Sequence, residues 1–185
     1  MNQFKGRFVP FLKFIGLILL SASLARAQGS MQVVKVSAKT ETDAVHADSQ
    51  AKVAVVAEIT AGYHINDHTP TLDYLIPTKF EVSSTDQVSL KSAVYPKGRP
   101  KKFPFSDEPL SVYEGNVVIA AVLQVAKTAT PGEYPLKAKF SYQACSEHAC
   151  LPPRSVPVDL TLKIVPQNVP LKVVETNVSE RSKSE

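Results

Sequence analysis

Cysteine is scarce in this sequence: Cys145 and Cys150 are the only two in 185 residues. Also missing is any apolar run after residue 28 long enough to cross a bilayer, which needs roughly 20 residues. No segment holds a 3.6-residue apolar period for long, which excludes a helical bundle. No Gly-rich phosphate loop and no Ser/His/Asp arrangement can be read, so nucleotide and hydrolase chemistry have no support. Internal repeats are absent as well.

Acidic residues are missing from the first 27 positions, and this decides the compartment. "MNQFKGRFVPFLKF" carries Lys5, Arg7 and Lys13, "IGLILLSASLA" is a short apolar run, and Ala25 and Ala27 stand at the −3 and −1 positions of a cleavage site. Residues 1–27 are therefore expected to be a secretory signal peptide cut after Ala27. A retained anchor would need about twice the apolar length of Phe14 to Leu24. With no Cys at the cut there is no lipoprotein acceptor. The mature chain is expected to be periplasmic, soluble and without stable membrane insertion.

The leader also holds the charge imbalance. Of 21 Lys and Arg against 17 Asp and Glu, four basic residues (Lys5, Arg7, Lys13 and Arg26) are lost with it, which leaves equal numbers. No basic surplus then points to nucleic acid, and Lys101 with Lys102 is too small a patch to do so.

What is present reads as antiparallel β structure. Runs rich in Val, Ile, Phe and Tyr recur between turn signals, with strands expected at about 31–38, 51–60, 76–83, 87–94, 112–125, 134–143 and 156–165. "GNVVIAAVLQV" is apolar enough for a central strand covered on both faces. "YPLKAKFSY" alternates, with Tyr134, Leu136, Ala138, Phe140 and Tyr142 on one side. Seven or more short strands in an exported domain of this size predict an all-β fold, an immunoglobulin-like antiparallel β-sandwich, over residues 28–166. The tail 167–185, ending "SERSKSE", is polar enough to be disordered from Asn168 onward.

The cysteines fall on the connection between the last two expected strands, in "SYQACSEHACLPPRS". Their spacing is not that of a C-x-x-C redox pair, and no helix dipole is available to favour a thiolate. Glu147 between them disfavours thiolate unless His148 or a partner intervenes. Pro152 and Pro153 hold Leu151 extended, so Cys150 is presented on a stiff, unpaired piece of chain, while Cys145 follows a strand and should be the more buried. These residues alone leave three readings open: a loop staple in a non-catalytic binding or adaptor domain, a redox pair, or a copper or zinc carrier using Cys145, His148 and Cys150. His64 and His68 are four apart but lack the Glu of H-E-x-x-H and lie in a β or turn context, so their spacing does not argue for a metal.

"AGYHINDHTPTLDYLIPTKFEV", "YPKGRPKKFPF", "VYEGNVVI" and "FSYQACSEHACLPPRSVPVDL", in this order, resemble the N-terminal periplasmic domain of the thiol:disulfide interchange protein DsbD. The resemblance runs from about Val33 to Val165. It is most specific at Tyr142-Gln143-Ala144-Cys145 with Cys150-Leu151-Pro152-Pro153, and next at Gly62 to Asn66. It implies an immunoglobulin-like fold and an activity that carries reducing equivalents. The cysteine pair would be reduced by a thioredoxin-like domain fed from a membrane segment, and would then reduce periplasmic thioredoxin-like proteins, including disulfide isomerases and cytochrome c maturation proteins. Cys150 would lead the exchange and Cys145 resolve it, with no cofactor and no metal. The sequence departs from the family in stopping where the membrane segment would begin, so the thiol-electron donor is expected on a separate chain. It departs also in a shortened cap loop, "KKFPFSDEPLSVYEG", which keeps Phe103, Phe105, Asp107 and Glu108 in the region that covers the disulfide. Phe105 is the expected shield, with Phe103 the next candidate.

Overall fold

A computed structural model describes residues 32–174. The expected signal peptide and residues 175–185 lie outside them. Eleven strands follow in chain order: β1 Val34–Thr40, β2 Gln50–Ile59, β3 His64–Asn66, β4 Lys79–Val82, β5 Val88–Val94, β6 Arg99–Lys101, β7 Leu110–Tyr113, β8 Asn116–Val125, β9 Gly132–Tyr142, β10 Ala144–Cys145 and β11 Arg154–Ile164. Among the described residues there is no helix.

The strands pair antiparallel in three sheets, ordered β1-β2-β8-β5, β11-β9-β4 and β10-β3-β7-β6. The first two sheets bury their alternating faces in one core. Val53, Val55, Ala57, Ile119, Ala121 and Leu123 come from one side, and Phe80, Leu136, Ala138, Phe140, Leu160 and Leu162 from the other. This is an immunoglobulin-like antiparallel β-sandwich, as the strand pattern predicts. The third sheet is short and carries the cysteines.

Strand β9 buries Leu136, Ala138, Phe140 and Tyr142 with Tyr134 half-buried, following the expected alternation. Other expectations need correction. The expected strand 112–125 is two strands, because Gly115 adopts φ 65°, a left-handed conformation that L side chains disfavour. There the chain leaves the short sheet, where β7 pairs with β3 and β6, and enters the sandwich, where β8 pairs with β2 and β5. Strand β8 is central but not covered on both faces. Its residues Val117, Ile119, Ala121, Leu123 and Val125 are buried, while Ala120 is exposed and Val118 and Val122 are only half-buried.

The start of the polar tail pairs with the segment that follows β1. The backbone N–H of Asp43 donates to the Lys172 carbonyl, that of Val174 to the Glu41 carbonyl, and the Lys172 N–H to the Asp43 carboxylate. Backbone pairing of this kind is blind to side-chain polarity, so composition alone could not reveal it.

Candidate functional site: a cysteine hairpin against a buried histidine

Cys145 and Cys150 are joined by a disulfide with Cα atoms 3.9 Å apart. They face each other as an antiparallel bridge. The flanking hydrogen bonds run from Ser146 N–H to the Ala149 carbonyl (2.9 Å) and from Leu151 N–H to the Ala144 carbonyl (2.8 Å). That arrangement makes the cysteines a non-hydrogen-bonded pair, the position in an antiparallel ladder where opposite side chains come closest. The Ser146 hydroxyl oxygen accepts from the N–H groups of His148 and Ala149 and tightens the loop.

The two cysteines differ sharply in environment. Cys145 is 2% exposed, whereas Cys150 lies in the exposed run Glu147 to Cys150. Strand β10 is covered on one side by β3, where Cys145 stands opposite His64 and Ala144 opposite Ile65. Past the hairpin, Pro152 and Pro153 donate no backbone hydrogen bonds and remain outside any strand until β11 begins at Arg154.

His64 is itself buried, at 1% exposure. Its ring stacks on Phe103, centroids 4.2 Å apart, and Phe103 in turn stacks on Phe105 at 5.1 Å. Phe103 is buried with Leu110 and Val112, against Leu72 and Leu75. Phe105 is 47% exposed. Of the two rings named from the sequence, Phe103 therefore lies on the strand neighbour of Cys145, and Phe105 lies outside it. Asp107 and Glu108 are exposed; Lys102 donates to the Asp107 carbonyl and Ser106 to the Glu108 carbonyl. His148 is exposed in the hairpin loop. Lys101 lies 5.5 Å from the Phe103 ring centroid and pairs with Glu114 at 2.5 Å.

Burial, and after it the Lys101 charge, push the His64 pKa down to about 4, against the pull of Glu114 and Glu147. The imidazole is thus neutral at neutral pH. Its Nε2 is buried with no hydrogen-bond partner among the described residues.

A polar network fixes the loop beneath this site. Burial raises the Asp67 carboxyl, but hydrogen bonds from Tyr113, Ser111, Thr69 and Gly98 outweigh it and hold the group below its usual range. Gly98 is required here, since a Cβ would meet Ser111 Oγ at 2.4 Å and Asp67 Oδ2 at 2.5 Å. Asn66 and Thr78 close the loop, Thr78 Oγ1 donating to the Asn66 carbonyl at 2.6 Å.

The two histidines weighed as a metal pair have different ring partners. His68 stacks on Tyr95 at 3.7 Å and bonds the Thr78 carbonyl, while His64 faces Phe103. Among the described residues no group of three or more His, Cys, Asp and Glu side chains is placed to hold a metal ion. Among the described residues no helix is long and apolar enough to cross a membrane. Sequence reasoning missed His64 as a neighbour of Cys145. The only available signal was its place in the "GYHIN" segment that carries the family resemblance.

No curated protein matches the chain. Among solved structures it is similar to the DsbD N-terminal domain of Neisseria meningitidis in the reduced form, with 21% identity over 67% of this chain and 86% of that one, TM-score 0.43. It is also similar to the N-terminal periplasmic domain of ScsB from Proteus mirabilis, with 14% identity over 71% of this chain and 47% of that one, TM-score 0.48. A third is the complex between the DsbD and PilB N-terminal domains of Neisseria meningitidis, with 24% identity over 66% of this chain and 80% of that one, TM-score 0.40. The family model of the thiol:disulfide interchange protein DsbD, N-terminal, matches residues 30–162, most of the sequence, and the chain belongs to that family.

Proposed function

We propose that this chain is a periplasmic thiol:disulfide exchange protein that passes reducing equivalents through Cys145 and Cys150, to or from thioredoxin-like partners. The observation that carries this reading is the unequal burial of two bonded cysteines, one 2% exposed and the other open to solvent on a short hairpin. Exchange proceeds by attack of a thiolate on one sulfur of a disulfide, so a pair with one accessible and one sheltered member has a built-in order. Cys150 is the sulfur that meets the partner, and Cys145 resolves the mixed disulfide. Membership in the DsbD N-terminal family supports the same chemistry.

In the reducing direction, the Cys150 thiolate attacks a partner disulfide and one partner sulfur leaves as thiolate. Cys145 then attacks Cys150, re-forming the intramolecular bond and releasing the second partner sulfur. Two electrons pass to the partner. We assign the thiol that re-reduces the pair to a membrane-embedded donor. The acceptors are thioredoxin-like proteins of disulfide isomerisation and cytochrome c maturation. Leader 1–27 directs export. The stacked rings of Phe103 and Phe105 form a cap on the His64 side of the pair, with Asp107 and Glu108 on its rim and His148 in the hairpin.

A redox titration of the mature domain against glutathione or dithiothreitol tests this reading. An exchange pair should have a potential above about −300 mV, whereas a value well below it, where stable structural disulfides lie, would make the bond a staple in a binding domain.

A further inference from the structure

In the short sheet the side chains of Cys150, Cys145 and His64 lie in one row, because Cys145 is opposite Cys150 on one side and His64 on the other. Directly opposed residues of an antiparallel pair have Cβ atoms about 5 Å apart on the same face. Ile65 stands opposite Tyr113, so continuing the register brings Glu114 to the far side of His64. The imidazole is pinned from above by Phe103. Its Nε2 is buried without a partner among the described residues, an arrangement native structures rarely keep without a use.

When the disulfide opens at Cys150, the other sulfur must carry negative charge at a site that is 2% exposed. Water cannot solvate it well there, and a hydrogen bond to a charged acceptor is among the stronger ones available. We propose that the Nε2–H of His64 donates a hydrogen bond to the Cys145 sulfur as the disulfide opens, so that Cys145 departs as a stabilised thiolate and Cys150 is the sulfur left bonded to the partner. This inference rests on the exchange reading.

The step balances without an added reactant. A partner thiolate attacks Cys150 Sγ and forms the intermolecular disulfide, while the Cys145–Cys150 bond breaks and its electron pair leaves on Cys145. His64 keeps its proton and shares it with the new thiolate. The partner's second thiolate then attacks its own bonded sulfur and releases Cys150 as thiolate. The partner is oxidised, the pair is reduced, and exposed Cys150 takes its proton from solvent.

The charged groups around the imidazole fit a neutral donor. Lys101 of β6 opposes protonation of the ring, while Glu114 after β7 and Glu147 of the hairpin favour it; together with burial they leave a neutral imidazole, which has one N–H to give.

The test uses the Cys150→Ser variant, in which Cys145 is the only thiol, and follows its ultraviolet thiolate absorbance with pH. Adding His64→Leu should raise the Cys145 pKa by about one unit, about tenfold less thiolate at a given pH. His64→Gln, whose amide can donate, should recover most of that shift. Equal pKa values in the parent and the Leu variant would overturn the proposal. If the Leu variant does not fold, nitrogen NMR of the wild-type imidazole decides. A protonated Nε2 whose resonance moves on reduction supports the hydrogen bond, and an unprotonated or unmoved Nε2 rejects it. Neither measurement involves a partner, so its failure leaves the exchange reading to stand or fall separately.

Discussion

Reducing the Cys145–Cys150 bond removes a covalent link across five positions of sequence, held in a hairpin that has its own backbone hydrogen bonds. For a closed loop of about six residues the chain-entropy relation gives about 2 kcal/mol of stabilisation. Little else should be lost. Strand β10 stays paired with β3, and neither cysteine belongs to the hydrophobic core between the two larger sheets. A loss of about 2 kcal/mol lowers the melting temperature of a domain this size by roughly 4–8 °C and leaves the native state dominant. By linkage the same energy makes the folded disulfide harder to reduce than an unfolded reference by only about 40 mV. The assay is urea unfolding of the oxidised domain and of the domain held reduced in dithiothreitol. A reduced form that is unfolded, or less stable by more than about 5 kcal/mol, would refute the reasoning and make the bond a structural staple.

Two further predictions concern the ring stack and pH. Phe103→Ala should cost about 3 kcal/mol, at the low end for a buried Phe because its cluster is small, and Phe105→Ala about 1 kcal/mol or less. Reduction by dithiothreitol should speed more in the first variant, and wild-type rates in both would remove these rings from the cap. His64 has a folded pKa of about 4 against an ordinary 6.5, so between those values the unfolded chain binds a proton that the native one does not. Stability is therefore full above about 6.5 and falls as pH drops, by about 3 kcal/mol at pH 4. Urea midpoints should show this slope in the wild type and a flatter one in His64→Gln; parallel slopes would contradict the burial of a neutral imidazole.

The sandwich was legible where strands are long and alternate. "YPLKAKFSY" reads directly as β9 because every second residue faces the core. The short sheet was not, since β3, β6 and β10 have two or three residues each, too few to show a period. Gly115 hid a change of sheet inside an apolar run, because its role is conformational and leaves no hydrophobic signal. At the site, the cysteine pair and its unequal exposure follow from local chain: a strand before Cys145 and two prolines after Cys150. What local chain cannot show is the neighbour across the sheet. His64 and Cys145 are 81 positions apart in sequence and meet only through β3–β10 register. "FPF" likewise offers two equivalent rings, and only the packing of Phe103 on His64 distinguishes them.

The central claim is an ordered exchange through Cys150, and trapping measures it most directly. The Cys145→Ser and Cys150→Ser variants are each mixed with a periplasmic thioredoxin-like protein that lacks its own resolving cysteine and carries its remaining cysteine as a mixed disulfide with thionitrobenzoate, which leaves as the free thiol when the variant's thiolate attacks; covalent complexes are resolved on non-reducing gels. Cys145→Ser should accumulate a mixed disulfide that dissolves in reductant, because Cys150 remains to bond the partner and nothing is left to release it. Cys150→Ser should trap little, since Cys145 is buried. Failure of both folded variants to trap any such partner, while the wild-type domain stays folded, would contradict the account.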